Sequence, residues 1–133
     1  MSGKLVRSVG VATAAMLAMG SAALLAAPAE AKGSDGRVEK RGTCSKGGTW
    51  KLKAKHDDNR IEWEFEVDTN RVGQKWSVKV TDNKTRVFTG TRTTTAPSGS
   101  FSVEKKTANR AGKDVIKARA TRGKNVCAGT VSV

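Results

Sequence analysis

Tyrosine is absent from this 133-residue chain, and histidine occurs once, as His56. A single imidazole excludes the multi-histidine sets of most catalytic zinc sites and leaves one base for nucleophilic catalysis. Its potential nucleophiles, Ser45 and Ser98, do not lie in a G-x-S-x-G turn. His56 beside Asp57 and Asp58 therefore reads as an exposed turn residue, and no catalytic residue is assigned. The same Asp57-Asp58-Asn59 run lacks the alternating oxygen spacing of a calcium loop and is expected to be a β-turn. No metal or cofactor is implied. Acidic residues are scarce too, 12 against 25 Lys and Arg, for a formal charge of +13. After residue 42 no segment carries the 3.6-residue apolar period of an amphipathic helix, which excludes α/β architectures.

The one long apolar run is N-terminal. Lys4 and Arg7 precede an uncharged stretch from Val9 to Ala27, followed by Ala27-Pro28-Ala29-Glu30-Ala31 with small residues at the −3 and −1 positions. This is the pattern of a signal peptide spanning residues 1–31, with the cut expected after Ala31 and the position after Ala29 as the alternative. An uncleaved anchor is the competing reading, but Gly10, Thr13, Gly20 and Ser21 dilute the run. No Arg-Arg pair precedes it and no lipid-accepting Cys follows, so the expected product is secreted, extracellular and free of the membrane. Without Lys4, Arg7 and Glu30, 23 basic and 11 acidic residues remain in the mature chain. In that oxidising setting Cys44 and Cys127, the only two cysteines, are expected to form a disulfide rather than a thiolate site.

Residues 32–42 are charged and are expected to be a flexible segment, with one domain over 43–133. There the apolar residues alternate with polar ones. Trp50, Leu52 and Ala54 interleave with lysines; Ile61, Trp63, Phe65 and Val67 interleave with Glu62, Glu64 and Glu66. Further strands follow around Trp76-Val80, Val87-Thr95, Phe101-Val103, Ile116-Ala120 and Cys127-Val133. Seven short strands predict an antiparallel immunoglobulin-like sandwich, with a small barrel as the alternative. One hairpin register places Lys51, Lys53 and Lys55 opposite Glu66, Glu64 and Glu62, while Trp50, Leu52 and Ala54 face Val67, Phe65 and Trp63. A slip by one residue would destroy both faces. The acidic stripe is then a neutralised sheet surface rather than acid–base machinery.

The surplus positive charge must lie elsewhere. If the third, sixth and seventh strands share the opposite sheet, Lys75, Lys79, Lys117 and Arg119 face outward together, with Arg122 in the turn that follows. These five residues form the candidate polyanion-binding face. All three tryptophans share parity with core positions, so few aromatics remain for base stacking and no specific nucleic acid is expected. The Thr-dense stretch Thr89 to Thr95 is compatible with O-glycosylation but is explained as an edge strand.

In the stretches 70–76 (Asn-Arg-Val-Gly-Gln-Lys-Trp) and 87–101, which includes Ala96-Pro97-Ser98-Gly99, the chain resembles a group of small secreted proteins of high-GC Gram-positive bacteria. That resemblance implies export and a β-sandwich but assigns no activity or site residues. In size and strand pattern the chain is also similar to chromoprotein-antibiotic carriers related to neocarzinostatin, from which it departs in having two cysteines rather than four and a basic charge.

These readings favour a non-enzymatic, monomeric binding module whose partner is an anionic cell-wall polymer or another extracellular protein. A small-molecule carrier and an enzyme inhibitor presenting Ala96-Pro97-Ser98-Gly99 are the alternatives.

Overall fold

Side chains that alternate between apolar and polar build strands, because successive residues of an extended chain point to opposite faces. The computed structural model describes residues 36–133 in full, together with the backbone of 30–32. Its strands are β1 (Glu30–Lys32), β2 (Val38–Thr43), β3 (Thr49–Asp57), β4 (Arg60–Asp68), β5 (Lys75–Asp82), β6 (Thr85–Thr93), β7 (Ser100–Ala108), β8 (Val115–Arg122) and β9 (Asn125–Ser132). They form two antiparallel sheets, ordered β1-β2-β3-β4-β7 and β6-β5-β8-β9, packed face to face and not closed into a barrel.

The β3–β4 register is the expected one: Lys51 faces Glu66, Lys53 faces Glu64, Lys55 faces Glu62, and Trp50 faces Val67. The inner-face residues Trp50, Leu52, Trp63, Phe65, Trp76, Val78, Val80, Val103, Ile116 and Ala120 are all buried. At full burial each large apolar side chain contributes about 1.5–3 kcal/mol. Cys44 and Cys127 are bridged, tying the lead-in to β3 to β9 across the two sheets.

The structure departs from expectation in three places. Residues 38–43 are not flexible; they form β2, which lies along β3 from Val38 opposite Ala54 to Thr43 opposite Thr49. This strand has one apolar residue, Val38, facing the core, so its periodicity is too weak to register in sequence. The strand count therefore rises from seven to eight across residues 38–133. The expected signal peptide lies outside the described residues except for Glu30 and Ala31, whose backbones pair with Lys40 and Glu39. Cleavage after Ala31 would remove most of β1 and leave β2 at the sheet edge.

The second departure is β6, which joins the β5-β8-β9 sheet rather than the other one. Its connection to β5 is the two-residue turn Asn83-Lys84, with φ of 47° and 71°. A tight turn with positive φ at both central residues forces the strands it joins to pair with each other. Asp58-Asn59, at φ 46° and 56°, makes the same kind of turn between β3 and β4.

The third concerns the acidic stripe on β4. On its far side β7 places Glu104 opposite Glu64 and Lys106 opposite Glu62. A hydrogen bond with Glu62 and the charge of Glu64 raise the Glu104 carboxyl above its ordinary pKa. Lys53 pairs with Glu64 at 3.1 Å. β7 thus adds one carboxylate and one lysine to the stripe, and leaves Glu104 with like-charged neighbours.

Candidate functional site

The two sheets differ in charge. Strands β2, β3, β4 and β7 together carry eight Lys or Arg against seven Asp or Glu. Strands β5, β6, β8 and β9 carry seven Lys or Arg and one acid, Asp82, which is fully buried. No carboxylate from these four strands is exposed.

Strand pairing organises the outward side chains of the second sheet into rows. Lys79 sits between Thr89 of β6 and Arg119 of β8, and Arg119 is followed by Ala128 of β9. The row above holds Thr91, Ser77 and Thr121; the row below holds Arg86, Thr81, Lys117 and Thr130. Lys75, next to Thr93, extends the same face. Two cations side by side in the centre, among threonine and serine hydroxyls, border a shallow groove of about 350 Å³ lined by Ser77, Lys79, Thr89, Thr91, Arg119 and Thr121. β-Branched threonines keep the edge strand extended, and their hydroxyls supply donors and acceptors between the fixed charges.

Four of the five expected residues, Lys75, Lys79, Lys117 and Arg119, thus share one face. Arg122 does not. It alternates with Thr121 and has the parity of Ala118 and Ala120, which point into the core. Being the last residue of β8, it emerges at the end of the sandwich and borders a separate recess with Lys46 and Arg71. The expectation counted Arg122 as part of the following turn and missed that parity. Arg92 of β6 likewise leaves the basic face: its guanidinium lies 4.9 Å from the centre of the half-buried Phe88 ring.

The remaining candidates are dispersed. His56 is exposed near the far end of β3, whereas Ser45 precedes the start of that nine-residue strand. The Ser45 hydroxyl accepts from the Val126 N–H at 2.9 Å, and that of Ser98 bonds Ser100 Oγ at 2.8 Å. The Ala96-Pro97-Ser98-Gly99 loop leans on the 69–71 segment. Thr69 N–H donates to the Gly99 carbonyl at 2.9 Å, and a Cβ on Gly99 would overlap the Arg71 backbone.

Two buried carboxyls were not anticipated. Asp82, at the end of β5, meets Asp114, and both are fully enclosed. Arg110 donates its backbone N–H to Asp114 Oδ1 at 3.1 Å, and its guanidinium Nε stands 3.9 Å from Asp82 Oδ2. Burial first, and then the neighbouring Asp114, push Asp82 up to about 6. No strand alternation marks these residues as an interacting pair, because Asp114 lies in a loop.

A disulfide points to an oxidising, extracellular environment, and among the described residues no helix is long and apolar enough to cross a membrane. Set beside protein-family models, curated proteins and solved structures, the chain matches none.

Proposed function

We propose that this is a secreted, non-enzymatic binding module that engages an anionic cell-wall polymer through the outer face of the β6-β5-β8-β9 sheet. The observation that carries the reading is the Lys79–Arg119 neighbour pair, centred on a face with Lys75, Lys117 and Arg86 and no exposed carboxylate. Like charges directly opposite each other on a sheet are destabilising, so a polyanion laid across them gains by relieving that repulsion. A flat, hydroxyl-studded surface suits an extended polymer of repeated phosphates and polyols better than a compact ligand. Binding of this kind draws on counterion release and weakens steeply with salt.

The test is salt-gradient elution from immobilised teichoic acid, with heparin as a second polyanion. The wild-type domain should be retained and released by salt, and the K79E/K117E/R119E variant should pass through both columns while keeping its thermal transition. Unchanged retention of the triple variant would overturn the reading.

A further inference from the structure

The end of the sandwich that carries the disulfide holds a second concentration of positive charge, away from the basic sheet. Lys46, Arg71 and Arg122 line one recess of about 380 Å³ together with Gln74 and Asn125. The three cations come from separate parts of the chain: the 44–48 loop, the β4–β5 connection and the end of β8. No carboxylate lines the recess, and none of the three cations is ion-paired among the described residues.

The backbone around the recess is fixed from every side. The disulfide anchors Cys44, Lys46 N–H donates to Asn125 Oδ1 at 2.9 Å, and Asn125 Nδ2 donates to the Gly47 carbonyl at 3.0 Å. On the opposite wall the buried Thr94 hydroxyl donates to the Arg71 carbonyl at 2.6 Å and accepts from Gln74 N–H at 2.9 Å. Gly48 lets the two walls approach, since a Cβ there would stand 2.9 Å from the Asp68 carbonyl oxygen. Within this frame the Gln74 side-chain oxygen is enclosed and has no hydrogen-bond partner. A buried acceptor left unpaired is costly, and it calls for a donor.

We propose that this recess is a binding site for a phosphomonoester carrying a hydroxyl group. The three cations match a compact dianion, arginine in particular offering paired N–H donors to phosphate oxygens. The half-buried Gln74 side chain, which lines the recess, turns its amide oxygen out of the enclosed position to accept from that hydroxyl, a donor that inorganic phosphate dianion offers less well in the same pose. The rigid walls lower the ordering cost of binding. This site stands apart from the polymer-binding face, and either can fail without the other.

Glycerol 3-phosphate and inorganic phosphate, titrated at low salt against the intact domain and followed by amide chemical shifts, test the assignment. Glycerol 3-phosphate should bind saturably and more tightly than phosphate, with shifts centred on 46–48, 71–74 and 122–125. R71Q/R122Q should weaken it at least tenfold, K79Q/R119Q should leave it unchanged, and Q74M should erase the preference over phosphate. K46Q supplies an independent variant on another wall, expected to weaken binding if R71Q/R122Q does not fold. The assignment is overturned by non-saturable binding, by equal loss in K79Q/R119Q, or by unaltered affinity in a folded R71Q/R122Q or K46Q protein. Equal affinity of the wild type for both ligands would overturn the hydroxyl requirement.

Discussion

The indole of Trp50, on β3 of one sheet, lies against the backbone of Gly129, on β9 of the other. A Cβ on Gly129 would overlap the six-membered ring at Cζ3 and Cη2. Gly42 of β2 provides a similar seat from within the first sheet, since a Cβ there would stand 2.6 Å from the indole Cε2. The largest side chain at this end of the core is thus held between two glycines. Gly129→Ala should destabilise the domain by about 1–3 kcal/mol through overpacking, and Trp50→Ala by about 3–5 kcal/mol through the cavity it leaves. Urea denaturation with tryptophan fluorescence reads the first; far-ultraviolet circular dichroism reads both. A neutral Gly129→Ala would mean that the sheets separate readily at this edge.

The disulfide closes a loop spanning a sequence separation of 83 residues. Its removal in C44A/C127A should cost about 2–5 kcal/mol, chiefly through the freed unfolded chain. It should also loosen the 44–48 loop. Amide hydrogen exchange at Lys46, whose N–H is held by Asn125, should accelerate beyond the global loss of stability. Uniform acceleration across the domain would show that the loop is held by its hydrogen bonds alone.

Asp82 makes stability depend on pH in a definite direction. Its pKa in the fold is about 6 against an ordinary value of 3.8, so the fold favours the protonated form. That contribution is complete below about pH 4 and is lost as pH rises through 6, amounting to at most about 3 kcal/mol. Asp82→Asn, which keeps the shape and cannot ionise, should therefore gain stability relative to wild type as pH rises from about 4 to 7.5. The difference between their thermal transitions at each pH isolates the effect from the carboxylates that are ion-paired in the fold, such as Asp57 with Lys106 at 2.8 Å. A difference independent of pH would mean that the Asp82 carboxyl is already ionised in the fold across this range.

Much of the fold was legible because strand alternation is a local property. The β3–β4 register followed from one hairpin satisfying charge on one face and burial on the other. The disulfide followed from there being two cysteines in a chain with the pattern of an export signal. Placing Lys79 beside Arg119 needed only the parity of two strands and the assumption that they neighbour each other. Lys46 could have been connected with Arg122, since a bridge to Cys127 draws the 44–48 loop towards the β8–β9 turn.

The basic surplus, the apolar parity of the strands, the turn residues and the cysteine pair were determined by the sequence itself, because each depends on residue type and short-range spacing. Tertiary structure decided the rest. β2 is a strand because β3 offers it a ladder, not because its own six residues alternate strongly. Glu104 extends the acidic stripe because β7 docks beside β4, and Arg122 meets Lys46 and Arg71 because three distant segments converge at one end of the sandwich. Gly42 and Gly129 matter because Trp50 arrives between them, and Asp82 titrates high because its carboxyl is buried and Asp114 is brought against it. Each of these depends on distant segments meeting, and spacing along the chain carries no information about that encounter.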